Sequence, residues 1–255
     1  MSSTPLLKAL TECGIGSRRW AADAIRKGMV EINGEIAEDF HHPVNLAVDR
    51  VLVNGHLVDL KPSEIVYLML NKPRGVLSTT SDDRGRRTVL DILPGQYRHL
   101  RLHPVGRLDL DSIGLLLLTN DGKLTYQLTH PRFEHEKEYL VHIDGSLQLK
   151  EKRKLEQGIN LEDGLTYPAK VKEIKSTPPF NYSITIHEGR KRQVHRMVAS
   201  LGYHVMALKR IRIGRLSLGN LKEGDTRQLG AQEIRLLLGE KKDGGTRKIT
   251  RLRRT

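Results

Sequence analysis

Two ionisable residues of opposite charge, Arg107 and Asp109, stand two positions apart just before a short apolar run, Leu115 to Leu118. A run that short and that apolar predicts a strand buried on both of its faces. Residues two apart in an extended chain lie on the same side, so Arg107 is expected to reach Asp109. An arginine beside a partly buried aspartate favours the ionised carboxylate, which nucleophilic catalysis by aspartate requires. The same spacing also fits an Asp109 that ends a turn or caps a helix, with Arg107 as a surface cation.

This pair belongs to a longer motif that runs from His103 to Gly122 and contains Gly-Arg-Leu-Asp followed by Gly-Leu-Leu-Leu-Leu-Thr-Asn-Asp-Gly. The motif resembles the signature of the bacterial ribosomal-RNA pseudouridine synthases, in which Gly-Arg-Leu-Asp carries the catalytic aspartate. That family has members for the small ribosomal subunit and B-type members for the large one. Further segments resemble it in the same order along the chain; they are 70–76, 137–141, 186–197, 208–214 and 218–224.

The resemblance implies a role for each matching residue. Asp109 is the catalytic group, whether it attacks the sugar, attacks the base or removes a proton from the sugar. Tyr139 stacks against the target base, although a tyrosine on an alternating strand also fits a core position. Arg107 pairs with the aspartate or with a phosphate. The remaining substrate-binding residues are Arg190, Lys191, Arg192 and His195.

His195 is a departure from the family, which commonly has arginine or lysine after Gln-Val or Gln-Ile. A histidine at this position supplies a weaker and pH-dependent charge. Arg196 or Arg107 is expected to compensate for it. A non-catalytic protein on the same fold would tolerate this departure.

Asp111 is the second carboxylate of the motif, so Asp109 and Asp111 could also be the metal-binding pair of a nuclease. No further acidic residues cluster with them, and no paired His or Cys residues have ligand spacing, so no metal site is expected. Pseudouridine formation rearranges the atoms of uridine without adding or removing any. The resemblance therefore implies no cofactor, and the chain contains no P-loop or dinucleotide-binding fingerprint.

The charge of the chain points to a polyanionic partner. Lysine and arginine number 43 against 30 aspartate and glutamate residues, a formal net charge of +13. Such an excess favours nucleic acid, because phosphate binding releases counterions; ribosomal RNA or a ribosomal assembly intermediate is the partner that the family resemblance implies. A membrane partner is not expected, because no apolar run reaches the ~20 residues of a spanning helix. The polar N-terminus and the single Cys13 predict a cytoplasmic protein. The chain shows no coiled-coil heptads, so a monomer is expected.

The N-terminal part has the pattern of a small α/β module. Ser17 is suited to cap a helix, and Asn33-Gly34 and Asn54-Gly55 are hairpin turn sequences between alternating strands. Together these features resemble the small RNA-binding domain first described in a ribosomal protein of the small subunit. In that domain the basic helix meets RNA phosphates, although a basic helix face is also commonly just solvated. The RNA-docking residues implied here are Arg18, Arg19, Arg26 and Lys27.

The expected organisation is an RNA-binding domain at 1–60, a linker at 61–64, a pseudouridine synthase catalytic domain at 65–239 and a basic flexible tail at 240–255. The tail fits either a nucleic-acid contact or a solvated end. Many alternating strands with interspersed helices predict an α+β fold, in which flanking helices cover a mixed, mainly antiparallel sheet. The order of its strands cannot be read from the sequence.

The main hypothesis is an enzyme that isomerises a specific uridine of ribosomal RNA, with large-subunit RNA preferred and small-subunit RNA as the alternative. A hypothesis of a different class is a non-catalytic, RNA-binding ribosome-assembly factor. Such a factor needs the basic surfaces but does not need Asp109.

Overall fold

The computed structural model describes residues 3–239, so the predicted tail at 240–255 lies outside the described residues. The described chain separates into two compact units, the first with residues 3–65 and 97–101 and the second with residues 66–96 and 102–239. The expected catalytic domain includes residues 97–101, whereas their contacts group them with the first unit. Among residues 3–239, every helix is too short or too polar to cross a membrane.

The first unit consists of two helices and six short strands. The helices are α1 (Leu6–Glu12) and α2 (Arg18–Arg26), and the strands are β1 (Thr4–Pro5), β2 (Val30–Ile32), β3 (Glu35–Ile36), β4 (Pro43–Val44), β5 (Val51–Val53) and β6 (His56–Leu57). Four of the strands form an antiparallel sheet in the order β3-β2-β5-β6, and β1 pairs with β4.

Local sequence signals account for this architecture. Asn33 and Asn54 have positive φ angles of 53° and 52°, and the glycine after each is also in the positive region, so both hairpins close through the predicted turns. Ser17 accepts a hydrogen bond from the main-chain nitrogen of Trp20 and caps α2. The apolar faces of the helices and strands meet in one core, in which Leu6, Leu10, Ala21, Ile25, Val30 and Val51 are fully buried.

The second unit has eleven strands and four helices. Its strands are β7 (Tyr67–Lys72), β8 (His103–Val105), β9 (Ile113–Thr119), β10 (Lys137–Ile143), β11 (Asn160–Leu161), β12 (Gly164–Leu165), β13 (Lys170–Glu173), β14 (Tyr182–Ile186), β15 (Val205–Ile213), β16 (Leu216–Ser217) and β17 (Thr226–Gln228). Its α-helices are α3 (Gly122–Thr129), α4 (Leu149–Gln157), α5 (Gln193–Ala199) and α6 (Ala231–Leu237), and a 3₁₀ turn occurs at Pro131–Phe133. A further 3₁₀ turn, Gly95–Tyr97, begins in the second unit and ends at the first residue of the 97–101 segment.

A nine-stranded sheet organises the second unit. Seven strands follow the order β13-β14-β10-β15-β9-β7-β17, while β16 pairs with β15 and β8 pairs with β9. All of these pairs are antiparallel except the parallel pair of β15 and β9. The predicted mixed, mainly antiparallel sheet is therefore confirmed.

The buried strand β9 lies near the middle of this sheet. Leu115, Leu116, Leu117 and Leu118 are each at most 2% exposed, which confirms the prediction of a strand buried on both faces. Gly114 at its start allows an unusually close approach to β15. A Cβ on Gly114 would lie 2.2 Å from the main-chain oxygen of Arg210, so glycine is required where these two strands meet.

Candidate active site

A cavity of about 270 Å³ lies in the second unit. The residues that the sequence singled out for catalysis and substrate binding all line it; they are Arg107, Asp109, Tyr139, Arg190, Lys191, Arg192 and His195. They come from the loop between β8 and β9, from strand β10, from the segment between β14 and α5, and from the first turn of α5. The sheet thus brings together motifs that are far apart in the sequence.

The loop that carries Asp109 is fixed at several points. Gly106 turns the chain with a φ of 74°, a conformation that glycine adopts without strain. Leu108 is buried, and its main-chain nitrogen and oxygen both bond to the hydroxyl of Ser78, at 3.1 and 2.9 Å. The nitrogen of Gly75 donates to the oxygen of Leu110 at 2.8 Å. Asp109 is therefore half-buried on a loop whose main chain is held on both sides of it.

The side chain of Lys72 also holds the loop that carries Asp109. Its side chain is fully buried at the end of β7. The ammonium nitrogen donates to the main-chain oxygens of Pro73, Asp109 and Ser112 at 3.0, 3.1 and 2.8 Å. An ammonium group has three N–H donors, so all of them are used. Burial lowers the pKa of Lys72 to about 8, against the opposing charges of Asp111 and Asp109.

Asp111 pairs with a residue of the 186–197 segment. Arg192 donates through Nη1 to both carboxylate oxygens of Asp111, at 3.2 and 3.0 Å. Burial opposes the ionisation of Asp111, but the hydrogen bonds and charge of Arg192 keep the pKa of this carboxyl below its ordinary value. Arg192 adopts a left-handed conformation with a φ of 48° where α5 begins, which is uncommon for a residue with a side chain. This backbone geometry accompanies the placement of its guanidinium against Asp111.

His195 lies on α5 with Nε2 at 3.7 Å from Oδ2 of Asp111. Burial and the charge of Arg192 lower the pKa of His195 below its ordinary value, although Asp111 and Asp109 act in the opposite direction. Its Nδ1 is buried and has no hydrogen-bond partner among the described residues. At neutral pH the imidazole is therefore largely uncharged, so this position does not supply a permanent cation.

Tyr139 and Arg210 form the floor of the cavity from neighbouring strands β10 and β15. Tyr139 is 8% exposed and Arg210 is 2% exposed. The guanidinium carbon of Arg210 lies 6.0 Å from the centre of the Tyr139 ring, and its Nε donates to the main-chain oxygen of Leu115 at 2.7 Å. Nη2 of Arg210 is buried without a partner, and no described carboxylate lies within ion-pair distance of this residue. Arg210 is therefore a buried cation that the described chain leaves largely uncompensated.

A second, half-buried cation, Lys137, is electrostatically coupled to Arg210. Lys137 lines the cavity on β10, and its ammonium group donates to the main-chain oxygen of His135 at 3.2 Å. Burial and the charge of Arg210 lower the pKa of Lys137 to about 8, although Glu188 opposes the shift. The cavity thus has a positive floor, which suits an anionic or electron-rich ligand.

Two predicted residues make different contacts from those expected. Arg107 is exposed and makes no ion pair or hydrogen bond within residues 3–239, so the expected contact with Asp109 is wrong in this structure. The reason is that the chain turns at Gly106 and runs as a loop instead of an extended strand. Arg190 is bound by its own protein: it donates to Glu188 at 2.9 Å and to the side chain and main chain of Asp163. Lys191, by contrast, is exposed at the cavity.

Lys72, Lys137 and Arg210 are the site residues that sequence reasoning missed. Lys72 stands at the end of an apolar strand inside the 70–76 motif, and a lysine at the end of such a run was an available signal. Lys137 is two positions from Tyr139. Arg210 gives no local signal, since its burial depends on the pairing of β15 with β9 and β10. Within residues 3–239, no three His, Cys, Asp or Glu side chains gather as a metal-binding group.

The basic residues that the sequence assigns to RNA docking lie on and just after α2 in the first unit, and all are exposed; they are Arg18, Arg19, Arg26 and Lys27. Arg26 makes a 3.4 Å contact with Asp23 and lies over the ring of Phe40 at 5.2 Å. The described structure gives no ion pair to Arg18 or Arg19. Both guanidinium groups are therefore free to meet a ligand.

Comparisons with known proteins agree with one another. Residues 66–200 match the family described as RNA pseudouridylate synthase. The chain is 42% identical over 235 residues to the ribosomal large subunit pseudouridine synthase B of Bacillus subtilis (strain 168). The matched residues cover 91% of this chain and 94% of that relative. The chain is 38% identical over 256 residues to an uncharacterized RNA pseudouridine synthase of Aquifex aeolicus (strain VF5), with 100% of both chains covered. A crystal structure of a pseudouridylate synthase has a TM-score of 0.65 and 34% identity, and covers 93% of this chain and 100% of that chain.

The matched segment contains the Asp109 loop, Tyr139 and the start of α5 with Arg192 and His195, while Arg210 follows it. The two relatives span both units and not only the matched segment. These matches confirm the enzyme class that the sequence predicts. The chain belongs to the RNA pseudouridylate synthase family.

Proposed function

We propose that this protein converts a specific uridine of ribosomal RNA, preferably of the large-subunit RNA, into pseudouridine, with Asp109 as the catalytic group. The observation that carries the proposal is the position of Asp109, half-buried on a clamped loop at the cavity that also contains Tyr139. The preference for large-subunit RNA rests on the 42% identity to the large-subunit enzyme of Bacillus subtilis.

The reaction places clear demands on such a cavity. The bond between C1′ of the ribose and N1 of the uracil breaks, a bond between C1′ and C5 forms, and the C5 proton is finally replaced by a proton on N1. The atoms balance within the nucleotide, so the reaction requires no oxidant, reductant or group donor. The detached base must stay in place while it turns. A cavity with an aromatic wall serves this requirement, because the ring of Tyr139 can hold the base by stacking.

Asp109 supplies the ionised carboxylate in this proposal. It attacks the sugar, attacks the base or removes a proton from the sugar, and all three routes need the carboxylate at a fixed distance from the nucleotide. Lys72 and Ser78 provide that position by holding the main chain of the loop. Asp111 is less suited to the role, because Arg192 already occupies both of its carboxylate oxygens.

Tyr139 and Arg210 are assigned to the base. The Tyr139 ring supplies the stacking surface for the uracil. If the electron pair of the broken bond remains on N1, the uracil ring becomes negatively charged. Arg210 is a buried cation beside Tyr139 with no carboxylate partner in the described chain, and a fixed cation at a developing negative charge lowers the barrier.

The basic residues of the 186–197 segment are assigned to the phosphates of the target nucleotide, which is turned out of the RNA. Extraction of a base from folded RNA costs a few kcal/mol of stacking and pairing, so contacts to the backbone must compensate for it. Lys191 and Arg192 are exposed at the cavity rim, as is Arg107. Arg190 is assigned to the support of this turn and not to the substrate, because its guanidinium is occupied by Glu188 and by residues 163–165. His195, largely uncharged at neutral pH, positions the turn against Asp111.

The first unit is assigned to RNA docking through the exposed basic face of α2. Cations on a solvated helix bind phosphates with little dependence on sequence. The formal charge of +13 on the whole sequence favours a polyanionic partner, and this helix contributes a local group of cations to such binding. Monomeric state and a cytoplasmic location stay predictions.

Pseudouridine mapping of both ribosomal RNAs tests the proposal. The RNAs are taken from cells that lack the protein and from the same cells complemented with wild type, Asp109→Asn or Asp111→Asn. We expect the deletion to remove one site or very few sites from the large-subunit RNA. Wild type and Asp111→Asn restore them, and Asp109→Asn does not, although it binds the RNA with nearly unchanged affinity.

Each alternative predicts a different map. Sites lost only from the small-subunit RNA would replace the preferred substrate with the alternative one. Full restoration by Asp109→Asn would refute the catalytic assignment. No lost site in either RNA, with normal RNA binding, would favour the non-catalytic assembly factor.

A further inference from the structure

An exposed cluster of aromatic and basic side chains lies beside the cavity. These side chains belong to the second half of α3, the following 3₁₀ turn and the residues next to that turn. The aromatic cluster consists of Tyr126, His130, Arg132, Phe133 and His135. Its rings are in contact: the centroids of Tyr126 and His130 are 4.9 Å apart, those of Tyr126 and Phe133 are 5.9 Å apart, and those of Phe133 and His135 are 6.3 Å apart. The guanidinium of Arg132 lies 5.0 Å from the Tyr126 ring and 4.5 Å from the Phe133 ring.

The fold does not need this cluster for its core. Helix α3 packs inward through Leu124 and Leu128, which are 4% and 3% exposed. Tyr126 projects the other way and is 45% exposed, while Phe133 is 36% exposed. Aromatic residues are scarce in this chain, at 4% of the sequence. The placement of two of them on the surface, in contact with one another and with Arg132, therefore suggests an external ligand.

The cluster continues into the rim of the active-site cavity. The cavity is lined by Thr129, His130, Pro131 and His135, which belong to the same segment, and on the same side by Lys137. Anything bound on the cluster is thus a direct neighbour of a ligand in the cavity. Glu134 is the acidic residue within the segment; its left-handed conformation, with a φ of 49°, makes the turn between Phe133 and His135.

The chemistry of the cluster fits the bases of unpaired RNA. Proteins bind single-stranded nucleic acid on exposed aromatic rings, on which bases stack whatever their sequence, and arginine adds stacking and charge. A uridine inside the cavity keeps its covalent link to the nucleotides on either side. Those neighbours must leave the cavity over its rim, and at Thr129–Pro131 and His135 the cavity lining continues into the aromatic cluster.

We propose that the aromatic cluster stacks one or two unpaired bases next to the target uridine and so holds the RNA strand at the mouth of the cavity. The proposal rests on the proposed function, because it assigns a place to the neighbours of the uridine that Asp109 converts. It adds a binding site for single-stranded RNA that the motif residues do not include. The site selects substrates in which the target lies in a loop or bulge, since paired neighbours cannot stack on it.

The test uses full-length protein and the ribosomal RNA fragment around the mapped site, with 2-aminopurine in place of the base that flanks the target. Stacking quenches the fluorescence of 2-aminopurine, so we expect wild type to quench it. In Tyr126→Ala with Phe133→Ala, the quenching is lost and KM for the RNA rises about 5- to 100-fold, the range expected for loss of stacking on one base. The single-turnover rate at saturating RNA stays within about twofold of wild type.

Matched variants separate stacking from other effects. Leu149→Ala removes another large exposed side chain of the second unit, 66% exposed on α4, and should bind RNA like wild type. Tyr126→Phe with Phe133→Tyr keeps both rings and should retain both affinity and quenching. The alanine variant should fold and unfold at a temperature close to that of wild type, because both rings lie outside the core that Leu124 and Leu128 join.

The result that would overturn the proposal is an alanine variant with unchanged KM and unchanged quenching. A variant that binds RNA normally but loses a protein partner would overturn it as well, because the cluster would then be a protein-binding surface. Failure of the proposed function has a different signature. In that case wild type itself forms no pseudouridine, or Asp109→Asn remains active, while quenching on the aromatic cluster is still measurable.

Discussion

The side-chain ammonium of Lys72 donates a hydrogen bond to the main-chain oxygen of Asp109 at 3.1 Å, from a fully buried position. The same nitrogen also bonds the main-chain oxygens of Pro73 and Ser112, so one buried charge holds the loop at the proposed catalytic residue and three residues after it. The link joins two motifs that are 37 residues apart. The two motifs come together because strand β7, which ends at Lys72, pairs with strand β9.

Lys72→Met tests this link. Methionine fills a similar volume but leaves the three carbonyl oxygens without their donor, which costs at least about 2 kcal/mol of unfolding free energy. The loop then loses its fixed position, and we expect the single-turnover rate to fall about 100-fold or more. Thermal unfolding and single-turnover assays measure the two effects. Lys150→Met, at an exposed position on α4, is the matched control. A Lys72→Met enzyme with the rate of wild type would contradict the role of this contact.

Arg210→Met separates stability from activity. Arg210 is 2% exposed and has no carboxylate partner within residues 3–239, and replacement of a buried charge by an apolar side chain is often neutral or stabilising. We expect the melting temperature to stay the same or rise, while the single-turnover rate falls about 100-fold because the detached base loses its cation. Arg210→Lys keeps the charge and should lose less activity. A melting temperature that drops sharply with an unchanged rate would mean that the guanidinium is purely structural.

The lowered pKa of His195 makes the free energy of unfolding depend on pH in a defined direction. Its pKa is lowered in the folded protein by burial and by Arg192, whereas the unfolded chain titrates near the ordinary value of about 6.5. As the pH falls through 6.5 the unfolded state takes up a proton first, so the free energy of unfolding decreases. This contribution is fully present above pH 6.5 and is lost as the pH falls through the pKa of the folded state.

His195→Gln should therefore flatten the fall in melting temperature between pH 7.5 and pH 5.5. Part of the fall remains, because burial also lowers the pKa values of His103 and His135. Thermal unfolding at several pH values measures the slope. The exposed His56 of the first unit provides the control variant, His56→Gln. Equal slopes for wild type and His195→Gln would rule out the proton-linked effect at this residue.

Arg18→Ala with Arg19→Ala tests the docking surface of the first unit. Both side chains are exposed on α2, so their loss should leave the fold intact. RNA binding that makes fewer phosphate contacts releases fewer counterions, so we expect weaker binding. The slope of the logarithm of the binding constant against the logarithm of the salt concentration should be smaller in magnitude by about 1 to 2. Filter binding over a series of salt concentrations measures this slope. Lys61→Ala, an exposed cation outside the helix, should leave it unchanged. A salt slope that the double variant does not alter would remove the docking role of α2.

Much of this fold could be predicted from local patterns. The four leucines of β9 predicted a strand buried on both faces, and their exposed fractions of at most 2% confirm it. The Asn-Gly pairs predicted two hairpins, because few residues other than asparagine and glycine adopt positive φ at both turn positions. Such signals depend on the neighbours of a residue along the chain. For the same reason they say little about strand order in the large sheet.

The sequence by itself determined the family, the carboxylate to examine and the set of motifs that would carry the site, because these are properties of residue type and spacing. Only the tertiary structure decided how those motifs meet. It showed that Arg107 does not contact Asp109, since the chain turns at Gly106. It also showed that Lys72 clamps the loop and that Arg210 is buried beside Tyr139. These contacts depend on the pairing of β9 with β7 and β15, and long-range pairing is a property of the packed sheet as a whole.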